Sequence, residues 1–310
     1  MFNHRLIKRF TFFISLALII LLFSQTNLLE ISHALFQVSL VTLVFLLLLQ
    51  LLTLVLVTLQ WKILFESIHE DVSFRRILMM NFVGTFYESI TPAMKSGGEA
   101  FKIYYLKKHH YTIPRVSSVL ITQKTVSFIT FFILLSLSLV YFSLFNRIEL
   151  FVWITLIFFS VLIFILLVGL WIVLKVPSKK AWFNELKSSL GLMLKRPKYL
   201  LISALVGFFI WGLFAYKFYV ITSAFNLSVS FFDSGALTFI PYSIGLLPLS
   251  PGGLGTFEAS MTYLLYPNFS SYGEALSITI LFRFISHWFI FLLASLSLLF
   301  AYFRKDESHE

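Results

Sequence analysis

Long unbroken runs of apolar residues set the pattern of this chain. Apolar runs bounded by charge predict membrane-spanning helices near residues 7–24, 34–59, 116–145, 150–174, 200–224 and 275–302. Ala34 to Leu59 carries no formal charge, and neither does Leu150 to Leu174. Each is long enough to cross about 30 Å of hydrocarbon, for which a helix needs roughly 20 residues. Two further stretches, 77–98 and 234–258, are moderately apolar but interrupted by Gly, Pro and Ser. That pattern suits helices that enter the membrane and turn back on themselves. Ten-residue segments of regular apolar and polar alternation are absent, which excludes an outer-membrane barrel. The expected fold is an all-α integral membrane protein with about six full spans plus two broken re-entrant hairpins.

Composition agrees. Of 310 residues 59% are hydrophobic and 12% charged, with a mean hydropathy of +0.91, far from the quarter charged of an ordinary soluble domain. With no cysteine, disulfides, thiolate metal sites and cysteine nucleophiles are excluded. The net charge of +10 reports membrane orientation here, and no nucleic-acid partner is inferred from it. Arg5, Lys8 and Arg9, then Lys62, Arg75 and Arg76, then Lys102, Lys107, Lys108 and Arg115, the loop Lys175 to Lys198, and Arg304 with Lys305 fall on one side of the predicted spans. The opposite loops hold Glu30, Arg147, Glu149, Asp233 and Glu274. By the positive-inside rule both termini are expected in the cytoplasm, in a multi-pass protein of the cell (inner, cytoplasmic) membrane. The first span lacks a small-residue cleavage site after Leu22-Phe23-Ser24-Gln25 and is expected to be retained.

The chain also resembles itself. At an offset of 159 residues Thr91-Pro92 falls on Ser250-Pro251, Glu99 on Glu258, Tyr104 on Tyr263 and Lys124 on Arg283. Each half reads span, span, broken hairpin, span. An odd number of spans gives the halves opposite orientation, the inverted repeat of many transporters. The expected organisation is one transmembrane domain over residues 1–303, halved at about 1–145 and 150–303, with a cytoplasmic tail at 304–310. Such a repeat sends one hairpin in from the cytoplasm and the other from outside.

Both hairpins carry chemistry at their breaks. The first reads Thr91-Pro92-Ala93-Met94-Lys95-Ser96-Gly97-Gly98-Glu99, and the second Ser250-Pro251-Gly252-Gly253-Leu254-Gly255-Thr256-Phe257-Glu258. Proline ends one helix, the glycines permit a tight backbone, and the carboxylate sits in the first turn of the next helix, where it suits the dipole. These segments, with Arg283 in Leu281-Phe282-Arg283-Phe284-Ile285-Ser286-His287-Trp288, resemble the flippase-like family that includes the transmembrane region of lysylphosphatidylglycerol synthases. The resemblance covers nearly the whole chain. It departs at Lys102, where the family often has Arg, so a point charge replaces a bidentate donor.

The resemblance implies an inner-membrane protein that moves a polar lipid headgroup across the bilayer. The full synthases attach lysine to phosphatidylglycerol with a separate soluble domain. Only seven residues follow Phe303, so lysyl transfer is not expected of this chain by itself. Half-helix amino termini at Gly97-Gly98 and Gly252-Gly253 would favour an anionic phosphate, and Lys95, Lys124 and Arg283 would add charge. The substrate would be an anionic phospholipid or a polyprenyl-phosphate-like lipid. Candidate substrate-binding residues are therefore Pro92, Lys95, Gly97, Gly98, Glu99, Lys102, Lys124, Pro251, Gly252, Gly253, Glu258, Arg283 and His287.

Plainer readings stand beside these. Glu99 and Glu258 could pair with Lys124 and Arg283, or cap their helices, and only brace the hairpins. Lys124 could simply mark the cytoplasmic end of its span. His287, one turn beyond Arg283, could join a proton relay or be hydrogen-bonded inside the bundle. Lys217 is expected to snorkel to the interface among Trp211, Tyr216 and Tyr219. Adjacent His109 and His110 cannot face one metal from the same side of a helix, and no metal or cofactor is expected. The segment 175–199 carries Trp182, Leu186, Leu190 and Met193 at helical spacing and seven cations before Tyr199. It suits an amphipathic helix resting on anionic lipid, with a cytoplasmic partner as the alternative. Phosphate-loop, hydrolase and dinucleotide signatures are missing. Three functional classes follow: a lipid transporter, a membrane-embedded enzyme or subunit that modifies lipid headgroups with Glu258 as base and Arg283 on phosphate, and a non-catalytic scaffold.

Overall fold

The computed structural model describes residues 38–91, 96–145, 149–245, 253–268 and 272–306. These residues form helices throughout, without a strand: α1 (Leu40–Ser67), α2 (Phe74–Ile90), α3 (Ser96–Lys108), α4 (Ile113–Phe145), α5 (Glu149–Lys175), α6 (Ala181–Leu194), α7 (Pro197–Ala224), α8 (Phe231–Gly245), α9 (Thr256–Leu265), α10 (Tyr272–Arg283) and α11 (Phe289–Asp306). A π-helical turn, Phe284–Trp288, joins the last two.

Among the described residues four helical stretches are long and apolar enough to cross a membrane: Leu40–Ser67, Ile113–Tyr141, Pro197–Ala224 and Tyr272–Leu299. The shorter apolar helix Phe159–Lys175 covers the second part of the span expected at 150–174 and ends one residue beyond it. The span expected at 7–24 lies outside the described residues.

Span boundaries move where local chemistry decides them. The start of the span expected at 34–59 lies outside the described residues; α1 begins at Leu40, where the Ser39 hydroxyl accepts the Thr42 N–H at 3.1 Å and caps the first turn. It runs beyond Leu59 because Trp61, Leu64 and Phe65 are buried. It ends in a Schellman turn, with the Glu70 N–H on the Phe65 carbonyl, the His69 N–H on the Glu66 carbonyl, and His69 at φ 60°. The same device closes α3 at His110 (φ 69°) and α7 at Asn226 (φ 56°).

The stretches expected as hairpins, 77–98 and 234–258, each end in the first turn of a second short helix, so the observed pairs, α2 with α3 and α8 with α9, run on to Lys108 and Leu265. Their 17, 13, 15 and 10 residues give lengths of about 15–26 Å at 1.5 Å per residue. Each is shorter than a full crossing.

The chain packs as two compact units. Of the described residues, the first takes those within Met1–Leu52, Phe82–Phe101 and Phe214–Glu310, the second those within Thr53–Asn81 and Lys102–Leu213. Each therefore draws on both sequence halves. The core of the first contains Leu46, Phe218, Leu237, Phe257, Met261, Phe282 and Ile285. That of the second contains Trp61, Leu64, Phe65, Val116, Val119 and Met193. In the second unit polar side chains cross-link the helices: Gln123 Nε2 donates to Gln60 Oε1, and Gln60 Nε2 to the Ser203 carbonyl, each at 3.0 Å. Such bonds join helices whose apolar faces gain nothing from leaving lipid.

One end of the second unit gathers charge. Lys62 donates to Asp71 at 2.6 Å, Tyr111 Oη to the Asp71 carbonyl at 3.0 Å, and Thr112 to Glu185 at 2.7 Å. Arg115 pairs with Glu70 and Glu185, and Arg196 bonds His69. Three of the five cationic segments that the charge count assigned to one side, those holding Lys62, Arg115 and Arg196, come together there; Arg5, Lys8 and Arg9 lie outside the described residues. The apolar stripe of α6 behaves otherwise than expected: Leu186, Leu190 and Met193 are buried, and Met193 Sδ accepts the Thr122 hydroxyl of α4 at 3.0 Å. This face packs on protein instead of lipid, because α4 supplies an apolar surface beside it, while Trp182 stays exposed.

Candidate functional site

The first unit holds the buried charge. Glu258, in the opening turn of α9, and Arg283, at the end of α10, are 8% and 4% exposed. Arg283 Nε lies 3.2 Å from Glu258 Oε1, and its guanidinium stands over the Phe257 ring at 4.6 Å. Arg283 is the single buried arginine among the described residues. Taking two charges out of water costs several kcal/mol per ion, about the amount their pairing must return. The second carboxylate oxygen, Glu258 Oε2, accepts the Gly255 N–H at 2.7 Å. Glu258 therefore both caps α9 and holds Arg283.

The turn before α9 depends on glycine. Gly253 and Gly255 have φ of 75° and 80°, the left-handed region that a Cβ disfavours. A Cβ on Gly253 would also sit 3.2 Å from the Gly245 carbonyl oxygen. The hairpin closes on itself there, with Tyr242 of α8 against Phe257 of α9 at 4.9 Å between ring centres.

Beyond Arg283 the helix widens into the π-turn, a distortion that recurs at functional sites. Gln50 Nε2 donates to the Ser286 carbonyl at 3.0 Å, and His287 Nε2 lies 3.1 Å from Ser89 Oγ. Gln50 Oε1 in turn accepts from Lys217 Nζ. Lys217 is wholly buried, with its ammonium 4.0 Å from the Phe214 ring centre. The expected snorkelling is thus overturned: a buried amide partner and an aromatic face receive the charge inside the unit. Sequence reading missed Gln50, whose only signal is a polar side chain amid an uncharged apolar run.

The first hairpin is closed by its own side chains. Thr91 Oγ1 accepts the Gly97 N–H at 3.2 Å and donates to the Tyr87 carbonyl at 2.6 Å. A Cβ on Gly98 would fall 2.0 Å from Glu88 Cγ and 2.9 Å from the Gly84 carbonyl oxygen, so α2 and α3 touch at backbone distance. Phe101 stacks on Tyr87 at 4.6 Å. Glu99 is half-buried in the first turn of α3. The amide donors of Gly97, in the first turn of α3, and of Gly255, just before α9, are thus already bonded to the chain itself.

Of the residues singled out from sequence, Glu258 and Arg283 meet directly, and His287 reaches the first hairpin through Ser89. Lys102 and Lys124 belong to the second unit. Lys102 is buried with its ammonium 5.5 Å from the Trp61 ring centre, and Lys124 is exposed on α4. Pro92, Lys95, Pro251 and Gly252 lie outside the described residues. No cluster of three His, Cys, Asp or Glu suited to a metal occurs among the described residues.

Comparison with known proteins agrees with the sequence resemblance. A UPF0104 membrane protein of Methanothermobacter thermautotrophicus is 25% identical over 291 residues, covering 84% of this chain and 86% of its own. One from Pyrococcus horikoshii is 21% identical over 275 residues, covering 77% and 81%. One from Methanocaldococcus jannaschii is 38% identical over 60 residues, 19% of this chain and 18% of its own. The family profile of the lysylphosphatidylglycerol synthase TM region matches residues 10–294. With that match over most of its length, this multi-pass membrane protein belongs to the lysylphosphatidylglycerol synthase TM region family.

Proposed function

We propose that this protein moves a lipid with a polar or anionic headgroup, an anionic phospholipid or a polyprenyl-phosphate-like lipid, across the bilayer. The observation that carries the reading is the buried Arg283–Glu258 pair, with Glu258 at the glycine break of a hairpin and Arg283 on a helix apolar enough to span. Ionisable groups inside a membrane are expensive and mark pathways for charged cargo. Membership of a family named for lipid synthases supports the same direction. In this reading a headgroup phosphate competes with the Glu258 carboxylate for Arg283, whose planar fork suits phosphate as well as carboxylate. The acyl chains stay in lipid. The two hairpins dip from opposite faces, and exchange between the halves opens the path to each leaflet in turn.

The test is a reconstituted vesicle assay with labelled lipid. Movement between leaflets without a new lipid species on chromatography is expected. Arg283→Ala and Glu258→Gln should each abolish it while the protein still elutes as a folded species in detergent. Normal movement in both variants overturns the reading, and a new lipid species points to headgroup chemistry instead.

A further inference from the structure

The second unit contains a cavity of about 290 Å³ between α4, α5, α6 and α7, near the low end of ligand sites, about 300 Å³. Ile121, Val126, Leu170, Leu190 and Ala204 are among its walls. Its two hydroxyls are already committed: Thr122 to Met193 Sδ at 3.0 Å and Thr125 to the Ile121 carbonyl at 2.9 Å. The lining therefore favours an apolar occupant over a polar one. Leu167 and Leu194, 48% and 49% exposed, stand at its open side.

Charge says what the occupant carries outside the cavity. Leu194 and Leu200 both line it, and between them run Lys195, Arg196 and Lys198. Lys195 and Lys198 are exposed and have no ion pair among the described residues; Lys175, Lys179 and Lys180, at the end of α5 and just before α6, are likewise exposed and unpaired. We infer that this cavity holds one acyl chain of a resident anionic phospholipid, with its phosphate on Lys195 and Lys198. The apolar stretch 7–24 of the same chain carries Lys8 and Arg9 at its start, just after Arg5, charges of the same sign as this rim, which argues against it as the occupant. The lipid is not cargo, and its site shares no residue with the Arg283–Glu258 pair.

The full chain in detergent, offered equal phosphatidylglycerol and phosphatidylcholine and examined by native mass spectrometry, tests this. One phosphatidylglycerol adduct is expected, favoured roughly thirtyfold at low salt from two lysines. Lys195→Gln with Lys198→Gln should bring the preference close to one. Ala204→Phe and, separately, Thr125→Leu should weaken the adduct by filling the cavity. The part of the adduct that Lys195→Gln with Lys198→Gln removes should persist in an Arg283→Ala background even where translocation is lost, which separates this inference from the transport reading. Equal retention of the two lipids by the unmodified protein overturns it without any variant, as does an adduct indifferent to both cavity fillings.

Discussion

At the scale of single residues, backbone conformation and buried charge set the constraints. His110 is exposed and closes α3 in the left-handed region at φ 69°, where glycine is at ease and β-branched side chains are not. His110→Gly is expected to hold or raise thermal stability, and His110→Val to lower it by about 1 kcal/mol, as read from thermal unfolding in detergent. At Asp71 the Lys62 ammonium holds the carboxyl below the usual carboxylate range. This contribution is present above about pH 4 and declines as pH falls through the lowered folded value. Asp71 is fully exposed, so the effect is small. Asp71→Asn should remove this small pH dependence from an unfolding series.

At the scale of elements, the hairpins are held by close backbone approach and the last span by its π-turn. Gly98→Ala places a methyl where Glu88 and the Gly84 carbonyl already stand. It should lower the unfolding midpoint by an amount matching about 1–3 kcal/mol of overpacking. Gly169, whose Cβ would meet nothing within 4 Å, provides the control, and Gly169→Ala should leave the midpoint unchanged or raise it. Gln50 links two elements by accepting from Lys217 and donating to Ser286. Gln50→Leu should cost about 2–4 kcal/mol, and the loss should be smaller in a Lys217→Met background. Additive effects in that double-mutant cycle would show that the two side chains are not coupled.

At the scale of the whole molecule, the charge asymmetry makes a topological prediction, and the absence of cysteine makes it easy to check. Lys180→Cys and Ser228→Cys would each be the single thiol in the chain, and both positions are exposed. With both termini in the cytoplasm, a membrane-impermeant thiol reagent should label Ser228→Cys in intact cells. Lys180→Cys should react only after permeabilisation, and the reverse pattern would invert the assigned orientation.

Hydrophobic length alone was enough to read five of the predicted spans as helices, because a run that crosses lipid must satisfy its own backbone. Clustered Gly and Pro likewise marked two interruptions between helices, whereas single ones did not, since Pro241 and Gly169 lie inside α8 and α5. Partner choice was not legible from the linear pattern. Lys217 reads as an interfacial residue by its position in the span, yet it is buried on Gln50, 167 residues away. The stripe of α6 reads as lipid-facing and instead packs on α4, and Glu258 is shared between Gly255 and Arg283. An apolar surface finds lipid and protein nearly equivalent, so hydropathy cannot say which of them covers a given face. Folding in three dimensions settles that, and with it which buried charges meet.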